Sequence, residues 1–249
     1  MPGRAGRQRF VSGMLCAVSL RLVHPTSLEE RLIVALDFDT LEEALGLVER
    51  LGEAVVWYKV GLRLFVPEGI AAVEALRKRG KRVFLDLKMH DIPETIRTAA
   101  RNIARAGAEM LTVQGDAETA RAAAEGVEER TAVLFVPMLS SQAGEDAEQV
   151  ILSRGAAALD AGAHGLIVSG GEIAAARRAF QDALLVSPGI RPSEASVDDH
   201  KRAMTPSRAL QMGADYLVVG RPIRSAPDPR SAAEAILNEM RQALSSEPA

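Results

Sequence analysis

The segment "GADYLVVGR", residues 213–221, sets a Gly-Ala pair before a short apolar run and a second glycine after it. The pattern returns as "GAHGLIVSG" at 162–170 and as "GAEMLTVQG" at 107–115, so the leading glycines are 51 and 55 residues apart. A glycine in the leading position closes a helix, because it adopts a left-handed backbone without a Cβ penalty. The run behind it is short, uninterrupted and rich in Leu and Val, as a parallel strand buried on both faces requires. The second glycine marks a place where backbone must come close to something.

Runs of the same character surround the repeats: "LIVALDF" from Leu32, "VVWYKVG" from Val55, "RVFLDLK" from Arg82, "TAVLFVPML" from Thr131 and "LLVSPGI" from Leu184. Together they predict eight strands, each followed by a helix-like segment. In the first of these segments, Thr40 and Glu43 form a capping box ahead of Leu41, Leu45 and Val48, and Gly52 is a suitable stop. The next helix is expected from about Pro67 to Gly80, with Ile70, Val73 and Leu76 as its stripe. Alternation of this kind implies a parallel sheet. Eight units favour a closed single-domain (β/α)8 TIM barrel over an open doubly wound sheet. The open sheet would want a Gly-x-Gly-x-x-Gly turn after its first strand, and "ALDFDT" is none. The barrel is expected over residues 31–245, with no Pro/Ser-rich linker, and residues 1–30 as a poorly ordered N-terminal extension.

The chain has 249 residues, 47% of them hydrophobic, which suffices for one large core. Its formal net charge is −3 and no basic stripe stands out, so a nucleic-acid partner is not expected. Cys16 is the one cysteine and cannot form an internal disulfide; a reducing, cytoplasmic compartment fits. The first 28 residues carry Arg4, Arg7, Arg9 and Arg21 and no acid. That resembles an organellar transit peptide, but a plain extension, or a true start at Met14, explains it as well. "MLCAVSL" is far short of the roughly 20 residues that span a bilayer, so no membrane association is expected.

In a barrel of this kind chemistry sits at the C-terminal ends of the strands. That rule selects Asp37, Lys59, Asp86, Lys88, Ser140, Ser141 and Arg221. Side chains alternate along a strand, so Asp86 and Lys88 share one face and Leu85 and Leu87 the other. Two lysines and two aspartates thus converge on one rim. A salt-bridge network that merely closes the barrel top is the bland alternative, but buried pairs are weak stabilising devices. A lysine among carboxylates suits delivery of a proton to a carbanion, and its cation stabilises that carbanion as it develops. Schiff-base chemistry needs the neutral amine and fits less well. Asp91, in "DIPE", reads as a helix N-cap with Pro93 in the first turn.

"SPGIRP" (187–192) and "VGRPI" (219–223) close strands seven and eight, where phosphate sites in barrels commonly lie. Arg191, Arg221 and the amides around Gly220 suit a dianion. Two turns with solvated arginines would look the same. Between them, "SEASVDDHKRAM" is polar and suits a closing loop. The histidines at 24, 90, 164 and 200 show no metal-ligand spacing.

"LDLKMHDIPET" resembles the Asp-x-Lys-x-x-Asp-Ile-Pro-x-Thr signature of the orotidine 5′-phosphate decarboxylase family. "VALDF", "YKVG", "LSS", "SPGIRP" and "GADYLVVGRPI" continue the likeness in family order, across about residues 31 to 240. The resemblance implies a homodimeric barrel with shared active sites. It would convert orotidine 5′-phosphate to UMP and CO2 in pyrimidine biosynthesis, with no metal or organic cofactor. It implies that Lys88 protonates C6, that Asp86 lies beside the departing carboxylate, and that Lys59 and Asp37 hold the network and the ribose hydroxyls. Asp91 and Thr95 would reach into the partner's site, Ser141 would contact the pyrimidine, and Arg191, Arg221 and Gly220 would hold the phosphate. At His200 the family usually has Gln on the closing loop, so altered contacts are expected there. Two rivals stand beside this reading. One is a magnesium-dependent phosphosugar decarboxylase or aldolase of the same barrel group, which carries an acid where this chain has Lys59. The other is a non-catalytic nucleotide-binding barrel.

Overall fold

The computed structural model describes residues 24–128, 130–139, 146–192 and 204–245. Its strands are β1 (Leu32–Ala35), β2 (Trp57–Gly61), β3 (Arg82–Met89), β4 (Met110–Val113), β5 (Ala132–Phe135), β6 (Gly165–Ile167), β7 (Leu184–Ser187) and β8 (Tyr216–Val219). They form one closed barrel in sequence order, all parallel, with β8 paired back onto β1. The expected TIM barrel is therefore the fold.

Helices α1 (Leu41–Leu51), α2 (Leu62–Glu68), α3 (Ile70–Lys78), α4 (Pro93–Ala106), α5 (Ala117–Val127), α6 (Ala147–Asp160), α7 (Glu172–Ala179), α8 (Pro206–Gln211), α9 (Arg221–Arg224) and α10 (Pro229–Ser245) surround it. Thr40 caps α1 as expected, accepting the Glu43 N–H. The helix expected from Pro67 to Gly80 is instead two. The first starts directly after β2 and contains Pro67, and Gly69, at φ +58°, separates it from the second. A non-glycine residue would be strained in that conformation. The three repeated glycines, Gly107, Gly162 and Gly213, all have left-handed backbones at φ +91°, +104° and +99°. That is the helix-closing role their sequence context predicted.

Strand parity sorts the core into two layers. Ile33, Ala35, Trp57, Phe84, Met110, Leu134, Val186 and Val218 fill the barrel interior. Their neighbours Val34, Tyr58, Val60, Leu85, Leu111 and Leu217 face the helices. At the N-terminal end of the barrel the Trp57 and Tyr216 rings meet edge to face, with centroids 5.7 Å apart, and the Arg82 guanidinium covers Trp57. His164 is buried just ahead of β6, and its Nδ1 accepts the Val133 N–H at 3.1 Å. Burial pushes its pKa down to about 4, so the imidazole there is a neutral acceptor. Among the described residues no helix is long and apolar enough to cross a membrane.

Candidate active site

The parity that places Ala35, Trp57 and Phe84 inside the barrel carries on toward the C-terminal ends of the strands. Two residues beyond each of these stand Asp37, Lys59 and Asp86. The Lys59 ammonium lies 3.3 Å from Asp37 Oδ1 and 3.5 Å from Asp86 Oδ2. The Lys88 ammonium lies 2.7 Å from the other Asp86 oxygen, Oδ1. The four charges alternate in sign as Asp37, Lys59, Asp86, Lys88. The convergence expected from the sequence is thus present.

Lys88 reaches its place by a different route from the one strand alternation predicts. The β3–β4 register runs from Leu85 opposite Leu111 to Met89 opposite Val113, so β3 spends four steps where β4 spends two. The surplus forms a bulge, and Lys88 within it has φ +50°. Bulges at barrel rims re-aim side chains. Leu85 and Leu87 still pack toward the helices, as alternation requires.

Thr112 on β4 stands opposite this bulge with its side chain on the interior face. Its Oγ1 accepts the Lys88 N–H at 2.8 Å and donates to Asp86 Oδ1 at 2.9 Å. Burial pushes the Asp86 carboxyl upward in pKa. The Lys59 and Lys88 ammonium groups, with the hydrogen bonds from Lys88 and Thr112, overcome that and hold it below the usual carboxylate range.

These groups line a cleft of about 560 Å3, counting the solvent at its mouth, within the range of small-molecule sites. Lys59, Asp86 and Lys88 give one wall, and Val136, Met138, Leu139, Ile167, Pro188 and Val218 supply an apolar one. One side is therefore fit for an uncharged planar body and the other for an anion or a developing negative charge.

The β8 end adjoins Asp37. A Cβ on Gly220 would meet Ala35 Cβ at 3.7 Å and Asp37 Oδ2 at 3.8 Å. Arg221 is exposed at the start of α9, and Arg224 on the same turn donates to the Asp37 carbonyl and covers the Phe38 ring. Arg191 follows β7, and its N–H bonds the Met204 carbonyl. Asp91 and Thr95 are exposed and neither lines this cleft. The capping role expected of Asp91 is not present: the N-cap of α4 is Ile92, and Asp91 Oδ1 accepts the adjacent Ile92 N–H at 2.7 Å. Ser140, Ser141 and His200 lie outside the described residues.

Residues 30–236 match the model of the orotidine 5′-phosphate decarboxylase / HUMPS family. The chain belongs to this family.

A curated relative from Cereibacter sphaeroides, named orotidine 5′-phosphate decarboxylase, is 45% identical over 85% of this chain and 97% of its own length. A relative of the same name from Methylobacterium sp. is 41% identical over 89% of this chain and all of its own. The crystal structure of orotidine 5′-phosphate decarboxylase from Lactobacillus acidophilus superposes with a TM-score of 0.74 at 33% identity. That match covers 84% of this chain and 98% of the other.

Reasoning from sequence missed Thr112 and the apolar wall. A threonine in a strand reads as an ordinary β-former. Val136, Ile167 and Val218 look like any other core residue. Only the closed barrel, with its register, turns them into the lining of a cleft.

Proposed function

We propose that the chain decarboxylates orotidine 5′-phosphate to UMP and CO2 in pyrimidine biosynthesis, the decarboxylation for which its relatives are named. The observation that carries this reading is the placement of Lys59 between Asp37 and Asp86, with Lys88 on the far oxygen of Asp86. A phosphosugar enzyme of the same barrel group would need an acid at the position of Lys59 to hold its magnesium, and an ammonium there repels a divalent cation. Among the described residues no three His, Cys, Asp or Glu side chains cluster so as to hold a metal ion.

In this reading the phosphate is held by Arg191, Arg221 and the amide at Gly220, and Asp37 and Lys59 hold the ribose hydroxyls. The pyrimidine then lies against the apolar wall with its C6 carboxylate toward Asp86 and Lys88. The C6–carboxylate bond breaks, CO2 leaves, and the electron pair stays on C6. The Lys88 ammonium stabilises that pair electrostatically and then gives C6 its proton. UMP results, and the lysine regains a proton from solvent. Asp86, held as an anion, keeps Lys88 aimed at the reacting carbon. Ser141 completes the pyrimidine contacts by family resemblance, and His200, where the family usually has Gln, makes altered ones.

The reading includes a homodimer in which Asp91 and Thr95 serve the partner's site. Both are exposed, and exposed Leu62, Val66 and Ile92 supply apolar surface for such a contact. Its setting would be the cytoplasm.

Turnover is followed as the loss of ultraviolet absorbance of orotidine 5′-phosphate. Conversion that survives EDTA is the expected result. Activity lost to EDTA would favour the metal-dependent rival, and UMP binding without turnover at high enzyme concentration would point to a binding protein.

A further inference from the structure

We propose that Thr112 is a positioning residue for the decarboxylation, its hydroxyl setting the Lys88–Asp86 pair from across the barrel. The inference rests on the reaction assigned above to this site.

Lys88 is one of two described non-glycine residues with positive φ. A left-handed backbone costs an L-residue roughly 1–2 kcal/mol, and such strain persists only where the surroundings over-determine it. At Lys88 the Thr112 hydroxyl is the group that fixes the bulge, because it accepts the Lys88 N–H at 2.8 Å. The same oxygen donates its proton to Asp86 Oδ1 at 2.9 Å, and that carboxylate oxygen also takes the Lys88 ammonium at 2.7 Å. One hydroxyl therefore joins the backbone that carries the proton donor to the anion that aims it. The acceptor function and the donor function are both used, so the hydroxyl proton has a fixed direction.

Asp86 is an acceptor with several donors competing for it. Lys59 faces Oδ2, while Lys88 and Thr112 share Oδ1. Among the described residues Asp37 meets the network through Lys59. Without the Thr112 hydroxyl, Asp86 keeps both lysines but loses a neutral donor that fixes its rotation. Lys88 keeps its ion pair but loses the bond that holds its backbone. The charges remain and their aim is lost, so the chemical step suffers while the binding surfaces stay.

The side-chain exchange that isolates this role is Thr112→Val against Thr112→Ser. Valine keeps the buried shape and removes the hydroxyl; serine keeps the hydroxyl and removes a methyl. A positioning role predicts that Thr112→Val lowers kcat for orotidine 5′-phosphate about ten- to a hundredfold, the range of one charge-assisted hydrogen bond. KM should stay within about threefold, and the acid limb of the kcat–pH profile should move upward as Asp86 loses a donor. Thr112→Ser should keep kcat within about threefold of wild type. A packing role predicts the reverse order, with serine worse than valine, and that order overturns the proposal. Should the valine variant not fold, Thr112→Ala is compared with Thr112→Ser, which differs from it by the hydroxyl alone; equal kcat values overturn the proposal. Wild-type enzyme with no turnover overturns the reaction and this role together. Wild-type turnover with an unaltered Thr112→Val variant overturns this role alone.

Discussion

Gly61 follows Lys59 by two residues on the inner face of β2, and a Cβ at Gly61 would stand 2.9 Å from the Lys59 ammonium nitrogen. Its backbone, at φ −103° and ψ −177°, is open to any residue, so no turn demands a glycine there. What the missing side chain protects is the lysine's position between two carboxylates. The clash falls on the far end of a flexible side chain, which can move without disturbing the sheet. Gly61→Ala should therefore leave thermal stability close to wild type and still lower kcat/KM by about tenfold or more, since misplacement by an ångström can cost a hundredfold. Denaturation midpoints and orotidine 5′-phosphate turnover, measured together, check it. A variant both stable and fully active would show that Lys59 tolerates displacement.

Lys88→Ala removes the proposed proton donor. General acids of this kind contribute roughly 10^2–10^4-fold. The expected result is a fall in kcat of at least about a hundredfold, with UMP affinity changed far less, because the phosphate and the apolar wall are untouched. Isothermal titration with UMP and single-turnover assays separate the two quantities. Equal losses in both would mean that Lys88 binds the nucleotide and does not serve the chemical step.

The strands were legible because parallel strands buried on both faces have few ways to be written, and the repeated Gly-Ala starts set their spacing. The strand-end rule then selected Asp37 and Lys59, and parity put Asp86 and Lys88 on one face. The two do meet, at 2.7 Å, but by way of a bulge that parity did not foresee, because nothing in "LDLKM" signals that two residues of β3 slip against β4. Parity also failed to single out Thr112, whose importance comes from standing opposite that slip. The pattern "DIPE" suits a cap at Asp91 and equally a cap at Ile92, since proline is accepted in either case near the helix start. At α2 and α3, Pro67 read as a helix start although a helix had already begun at Leu62, within the chain's turn out of β2. Local patterns thus carried the elements and the interior face, and cross-strand register decided the fine geometry of the site.

His164 gives the fold a dependence on pH. In the unfolded chain a histidine titrates near 6.5, and in the barrel burial lowers that to about 4. Between those values the unfolded state binds more protons, so stability falls as pH drops from about 6.5 toward 4 and is fully present above that window. The shift corresponds to at most about 3.5 kcal/mol at roughly 1.4 kcal/mol per unit. His164→Gln keeps a side-chain acceptor near the Val133 N–H and cannot be protonated. Urea unfolding of this variant should show a flatter loss of stability over that window, whatever its stability at pH 8. An unchanged slope would mean that other groups govern the acid limb.

The exposed position of Asp91, away from its own chain's cleft, makes a two-chain experiment decisive. If Asp91 completes the partner's site, an Asp91→Ala subunit offers an intact Lys88 and lacks only what it should lend. A Lys88→Ala subunit offers the intact Asp91. In a mixed dimer one site then receives Lys88 from the first chain and Asp91 from the second, while the other site lacks both. Statistical mixing at equal concentrations makes half of the dimers mixed, each with one working site of two. About a quarter of wild-type activity should return from two preparations that are nearly inactive alone. Subunit exchange is confirmed by pairing one tagged and one untagged chain. Exchange without recovered activity would place Asp91 in the service of its own chain, where its Oδ1 accepts the Ile92 N–H just ahead of α4.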